Sequence, residues 1–386
     1  GTGANIAWML AFADKRITAC CNIFAAGWDV YKDKFKYGSN DLNEISEERE
    51  RWLAGLSAET YAKYINIPVM LLTASNNKYT HIERAYDTMA RIPDALSSFI
   101  CIAPNSDGYI CHYGNIRLFF EKFLLDKDIT MPQKAQLGIE NNENTVALKV
   151  ECGNMDDVKD INIYCSENQL NPISRAWFTY NAYKTQGVAI PKLHANDGLL
   201  FAYANITYNS GLVLSTNLCV KNKGELSRTN SIIKRSNLIY DSKMGLDCFT
   251  VFSREKPMLK DLHKDCKITL KKGPENILGI CASSLATYKV GAAGCNGTED
   301  ESFKFDIYSA SEQELTIYFL DKQGLDTQDY HSTTVKLKGG SIWQPVEIKK
   351  QNLKTKDGII LKSWEEVIMA AFTADKEFLI NNILWI

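Results

Sequence analysis

Three short apolar runs alternate with helical patterns in the first third of the chain, and this alternation limits the fold more than any other feature. The runs are residues 16–24 (RITACCNIF), 67–75 (IPVMLLTAS) and 97–105 (SSFICIAPN). A strand buried on both faces reads as a continuous apolar run, not as an alternation. Helical stretches lie around them. ANIAWMLAFAD has Ile6, Met9, Leu10 and Phe12 at helical spacing, and HIERAYDTMARI and GNIRLFFEKFLLD are amphipathic. The longer SNDLNEISEERERWLAGLSAETYAKYI is polar and helical, and reads as a cap-like insertion. Strand and helix in alternation predict a parallel sheet covered on both sides.

The texture changes after KDITMPQKAQ. In TVALKVEC, Val146, Leu148, Val150 and Cys152 share one face; in INIYCS, Ile161, Ile163 and Cys165 do. LLFAYANITY and GLVLSTNL follow, and short alternating strands with Asn and Gly turns predict an immunoglobulin-like sandwich over 131–225. KGELSRTNS is a second linker. ELTIYFLD, TVKLKGGSIWQPVEI and a closing EFLINNILWI then predict a jelly-roll sandwich over 230–386, with the last strand tied into the core and the C-terminus therefore read as complete. A single core rarely outgrows ~250–300 residues, so 386 residues call for several domains. The expected fold class is thus multidomain: α/β over 1–130, then two all-β sandwiches.

Lys and Arg number 44 against 46 Asp and Glu, for a net charge of -2. That gives no basic face for nucleic acid or an anionic membrane. No apolar run approaches the ~20 residues of a transmembrane segment. The 11 cysteines include no CxxC pair, so no metal site is expected, and they read mostly as small buried hydrophobes. One disulfide in the Cys248 to Cys295 region stays open. No phosphate-binding loop or other cofactor motif is present. Two sequons occur, Asn205-Ile-Thr and Asn296-Gly-Thr, of which Asn296 is the better acceptor if the chain is secreted by a eukaryote. The chain begins on Gly, which reads as a processed, tagged or partial polypeptide.

The words GTGANIAWMLAFADKRITACCNIF, IPVMLLTASNN and FICIAPNSDGYI carry a resemblance. They look like the C-terminal half of a serine α/β-hydrolase, closest to the acetyl-xylan-esterase-like and PhoPQ-activated pathogenicity-related families. NPISRAWFTYNA and GLLFAYANITYNSGL look like the β-module that follows such a domain. The jelly-roll region resembles carbohydrate-binding or galactose-binding-like modules by pattern. The hydrolase resemblance implies a nucleophile elbow, Gly-x-Ser-x-Gly, before the first helix. Registering that helix on Ala-Asn-Ile-Ala-Trp puts Gly1 in the serine's place, with Thr2 the nearest hydroxyl. The acid's place falls on Asn77 and the histidine's on Asp107 or Gly108, with His112 as a reserve and His81 read as structural. All three positions are therefore substituted.

Other groups read blandly. Cys111 and His112 beside Asp107 are too close in sequence to face one another as a dyad. EISEERERW is a solvated helix with i,i+4 pairs. Trp343, Trp364, Trp385, Tyr318 and Tyr330 are the candidates to stack on sugar rings, but Trp343 and Trp385 sit in strand patterns and are expected in the core. Tyr330 and His331, in DTQDYHSTT, are the better ligand-face candidates. Three functions follow. One is a degenerate hydrolase-like binding or scaffold protein, secreted or surface-bound, with a glycan or protein partner. The second is an active esterase or peptidase seen as a fragment. The third is a structural assembly protein built from β-modules. An extracellular or cell-surface setting is expected, with the cytoplasm as the alternative.

Overall fold

The computed structural model describes residues 2–27, 35–37, 46–93, 98–106, 108, 112–142, 145–194, 197–226, 234–252, 268–324, 327 and 329–386. The chain divides into two compact units. The first comprises Gly1–Ile173 with Thr179–Ile232, and the second Ser174–Phe178 with Ile233–Ile386. Strands dominate, and the described residues hold five α-helices, all in the first unit.

The first unit opens with α1 (Thr2–Ala13), β1 (Cys20–Ile23), α2 (Glu47–Leu56), α3 (Ala58–Ala62), β2 (Val69–Ala74), α4 (Ile82–Met89), β3 (Ser98–Ala103) and α5 (Gly114–Phe123). The three apolar runs become β1, β2 and β3, paired in parallel in that order. Every residue of β2 and β3 is buried, as their continuous apolar character requires. The predicted helix α1 forms, but its buried face differs from the one its spacing suggests. Trp8 and Ala11 are buried, while Ile6, Leu10 and Phe12 are nearly half exposed, at 49%, 45% and 47%. Trp8 takes the inner face because its Nε1–H donates to the Ala25 carbonyl at 2.8 Å. Phe12 lies instead against Tyr61 and Tyr64.

Antiparallel strands follow: β4 (Gln136–Asn142), β5 (Thr145–Glu151), β6 (Val158–Glu167), β7 (Phe178–Asn181), β8 (Val188–Ala189), β9 (Leu199–Tyr208), β10 (Val213–Ser215) and β11 (Cys219–Asn222). They form a sheet in the order β10-β9-β6-β7, with β11 also on β9, and a smaller sheet β4-β5-β8. Their inward rows join the parallel sheet and α5 in one hydrophobic cluster, which runs from Met70 and Phe99 through Phe119 to Ile161, Ile163, Leu200 and Ile206.

β3 is the outer strand of its sheet, and side chains satisfy its edge in place of another strand. Ile102 N–H donates to Ser215 Oγ at 2.9 Å, and Asn205 Nδ2 donates to the Ile102 carbonyl at 2.9 Å. Ser215 Oγ in turn donates to Asn205 Oδ1 at 2.6 Å. Asn205 is 4% exposed and both ends of its amide are committed, so its sequon is no glycan acceptor in the folded chain.

The second unit contains β12 (Leu238–Tyr240), β13 (Phe249–Thr250), β14 (Thr269–Lys272), β15 (Leu278–Thr287), β16 (Phe303–Tyr308), β17 (Gln313–Asp321), β18 (His331–Leu337), β19 (Gln344–Ile348) and the long β20 (Val367–Trp385). β20 pairs with β12, β15, β16 and β17 along its length. Its Asn-Asn dipeptide makes a bulge: Asn382 has φ +47° and the register against β16 shifts there. The core is aromatic, with Phe303, Phe305, Phe319, Trp364, Phe372 and Trp385 all buried. Two of the buried indole N–H groups donate to carbonyls, Trp364 to that of Glu301 at 2.7 Å and Trp385 to that of Cys295 at 2.8 Å. Gly297 lies so close to both tryptophans that a Cβ would come within 3.0 Å of the Trp385 ring and of the Trp364 Cβ. Trp343 sits in the turn before β19, half-buried over Gly273 and Gly279, not in a strand. No disulfide joins Cys248 to Cys295, which are both buried, and Cys266, in the same region left open for a disulfide, lies outside the described residues.

Candidate functional site

At one end of the second unit's core the inward row turns from apolar to polar. Along β17, Leu315, Ile317 and Phe319 are fully buried, and the next residue of that parity is Asp321. On β18 the residue opposite Phe319 is His331. The β17–β18 connection folds back because Asp321 Oδ1 accepts the Gly324 N–H at 2.8 Å. A side chain at 324 would come within 2.5 Å of the Asp329 carbonyl, so this turn requires glycine. Bridges from Lys354 to Ser332 and Ile360 bring the segment before β20 alongside.

Between the two segments opens a cavity of about 130 Å³, lined by Asp321, Gln323, Gly324, Thr327, Asp329, His331, Thr355, Asp357, Ile359, Ile360 and Lys362. At ~30 Å³ per water it holds about four waters, so it admits the edge of one ring and not a long chain. Three carboxylates face one ammonium. His331 is 5% exposed, and its Nδ1 lies 3.9 Å from Asp321 Oδ2, beyond hydrogen-bond range. That Nδ1 finds no hydrogen-bond partner among the described residues. Burial pushes the imidazole pKa below its ordinary 6.5, against the opposing pull of Asp321 and Asp329. No lining residue among those described is a serine or cysteine, so the cavity holds neither nucleophile.

Tyr330 stands next to His331 but belongs to an aromatic trio. Its ring is edge-on to Phe252 at 5.6 Å and to Tyr318 at 5.9 Å. Trp364 and Trp385 are core residues and are closed to any ligand. Sequence reasoning missed Asp321, Asp329, Thr355, Asp357 and Lys362. The available signal was a pair of polar stretches, DKQGLDTQDYH and NLKTKDGIILK, each beside a buried strand row.

The residues placed on a hydrolase triad do not assemble. Gly1 and Asp107, like Cys111, lie outside the described residues. Asn77 is buried, and its Oδ1 accepts the N–H groups of Tyr79 and Thr80 at 3.0 and 2.9 Å, closing the turn into α4. Gly108 is half-buried. His112 is half-buried too, its carbonyl accepts the Asn115 N–H at 3.0 Å, and desolvation holds its pKa down at about 4. No hydrogen bond joins it to Asn77 among the described residues. His81 precedes α4 and packs against Phe35.

No family model matches the chain, and no curated protein matches it. Among solved structures it is similar to a family 11 carbohydrate-binding module from Clostridium thermocellum in complex with a β-1,3-1,4-mixed-linked tetrasaccharide. That match has 13% identity and TM-score 0.28, over 39% of this chain and 94% of the module. A family 30 carbohydrate-binding module of a Clostridium thermocellum cellulosomal cellulase matches with 15% identity and TM-score 0.23, over 40% of this chain and 95% of that one. A carbohydrate-binding module of the β-sandwich superfamily gives 11% identity and TM-score 0.23, over 67% of this chain and all of the module. These neighbours are β-sandwiches. The expected kinship with serine α/β-hydrolases is overturned: among the described residues strand far outweighs helix, and the parallel sheet has only three strands. The sequence likeness came from buried strands and a helix that any parallel sheet needs.

Proposed function

We propose that this chain is a non-catalytic glycan-binding protein of the cell exterior, and that the polar cavity at the end of β17 and β18 is its recognition site. The carboxylates, hydroxyls and single ammonium gathered around one cavity beside buried His331 carry this reading. Sugar hydroxyls donate well to carboxylates and accept from an ammonium or amide, and such charge-assisted bonds are roughly twice as strong as neutral ones. The Ile359 and Ile360 side chains supply the apolar contact that a ring face needs. The jelly-roll assignment of the second unit belongs to the same proposal. Affinity electrophoresis of the full chain through gels containing mixed-linked β-glucan, xylan or galactan tests it. Retardation by one polysaccharide, weakened at least tenfold by Asp329→Ala, supports the reading. No retardation, or retardation indifferent to that substitution, overturns it.

A second reading, assembly through β-modules, is favoured by the strand edges of this unit. Among the described residues β19 pairs as a strand only with β16, and Ile342, just before it in sequence, is 67% exposed. Open edges accept strands from another chain. Concentration-dependent sedimentation that Ile342→Lys abolishes would select it.

A further inference from the structure

The first unit contains a second and larger cavity, of about 240 Å³, beside β3. Its wall is mainly apolar, with Phe99 from β3, Met89 from α4, Ile206 from β9 and Leu214 from β10. The polar side chains of the wall are mostly engaged with the protein itself. Tyr86 OH donates to the Thr216 carbonyl at 2.7 Å. Ser215 Oγ is held between the Ile102 N–H and Asn205 Oδ1. Asn217 closes on both backbone groups of Leu137, and Thr216 Oγ1 accepts the Ala204 N–H at 3.0 Å. Lys134 donates to Ser98 Oγ at 2.5 Å and has a further partner besides. No carboxylate lines the cavity among the described residues. Burial, with a smaller push from the Cys152 thiol, raises the Tyr208 phenol to about 12, so that group stays uncharged.

The edge of β3 supplies the second observation. In a parallel ladder the backbone groups of alternate residues face opposite neighbours. Ala103 faces β2, where its carbonyl accepts the Ser75 N–H at 2.9 Å. Ile102 faces away, onto Ser215 and Asn205. Ile100, two residues earlier, shares the orientation of Ile102, is 8% exposed and lines the cavity. Its N–H meets no hydrogen-bond acceptor among the described residues. Buried backbone groups are almost always paired, by protein, water or ligand. The cavity therefore joins an apolar wall to one directional donor.

We propose that this cavity binds a compact, uncharged apolar molecule bearing a ketone-type carbonyl, its hydrocarbon against Phe99 and Leu214 and its oxygen on the Ile100 N–H. An apolar cavity of ~150 Å³ accepts benzene, so the volume here takes one ring with a short carbonyl tail. A charged ligand would give up its hydration with no unengaged charge in the wall to replace it. This ligand class is distinct from the sugars proposed for the second unit.

Calorimetric titration of the full chain with 4-phenylbutan-2-one tests this, with 3-phenylpropionate as the charged probe of similar size. The ketone binds saturably and at least tenfold more tightly than the acid. In the chain labelled with 15N-isoleucine, the ketone moves the Ile100 amide proton downfield, and butylbenzene, which has no oxygen, does not. Loss of one cross-peak in Ile100→Val identifies that resonance. Leu214→Trp fills the cavity and weakens the ketone at least tenfold, with circular dichroism reporting whether the variant is folded. No saturable binding of the ketone to the unaltered chain overturns the proposal, and so does an acid that binds as tightly. A bound ketone that leaves the Ile100 amide unmoved overturns it as well, whatever the filled variant does.

Discussion

In the first unit a parallel sheet and an antiparallel sandwich share one hydrophobic cluster, and the join at β3 is made by Asn205 and Ser215 side chains. In the second unit β20 threads the sheet from end to end, and six aromatic rings fill the interior. The contrast follows from strand geometry. Where two sheets meet without a shared ladder, edge N–H and C=O groups need polar side chains, because an unsatisfied buried group costs about 1–3 kcal/mol. Where one strand pairs with several neighbours the backbone satisfies itself, and stability rests on packing.

The comparison breaks first, if at all, at the tryptophans. Trp385→Ala should destabilise the second unit by about 3–5 kcal/mol, read from a denaturant midpoint. A loss under about 1 kcal/mol would mean that the aromatic cluster is not what holds that unit. The next effect tests the polar character of the first unit through pH. The His112 pKa is depressed from 6.5 to about 4 by burial, so the unfolded chain takes up the proton first. Its contribution is complete above pH 6.5, falls away as the pH drops towards 4, and is lost below that. The span is worth about 3 kcal/mol at most. His112→Asn should flatten the stability profile across that window, and an unchanged slope would show that other groups carry it.

Smaller again, Asn205→Ala should cost about 1–3 kcal/mol by stranding the Ile102 carbonyl. Combined with Ser215→Ala the loss should be less than additive, since both serve the same edge. Additive losses would separate the two side chains and weaken the picture of a polar seam. Smallest is Asp329→Asn. At this exposed position stability should move by no more than about 0.5 kcal/mol while glycan retardation weakens severalfold, which keeps recognition and folding apart in the second unit.

Much of the backbone was legible in sequence. The runs around Cys20, Val69 and Ser98 are the parallel strands, and the alternating rows of 145–151 and 313–321 are strands with the expected inner faces. What escaped depends on partners distant in sequence. Spacing chose Ile6, Leu10 and Phe12 as the buried face of α1, but the carbonyl of Ala25 decides for Trp8. Asn205 read as a sequon because its partners, Ile102 and Ser215, are invisible in the local triplet. Asn77 read as a substituted acid, whereas its geometry is that of a turn residue holding two N–H groups. His331 stood out by its polar neighbourhood, yet the carboxylates around it come partly from a segment beyond β19 that no local pattern connects to it.

The short stretch Ser174–Phe178 belongs to the second unit although the chain on both sides of it belongs to the first. Trp177 is fully buried there, and Cys248 Sγ donates to its carbonyl at 3.5 Å. A cassette that can be excised, shuffled between genes or joined to another protein must be written in one uninterrupted stretch. This unit is not, because any cut after residue 232 leaves its tryptophan behind. A fragment that begins after residue 232 therefore lacks Trp177.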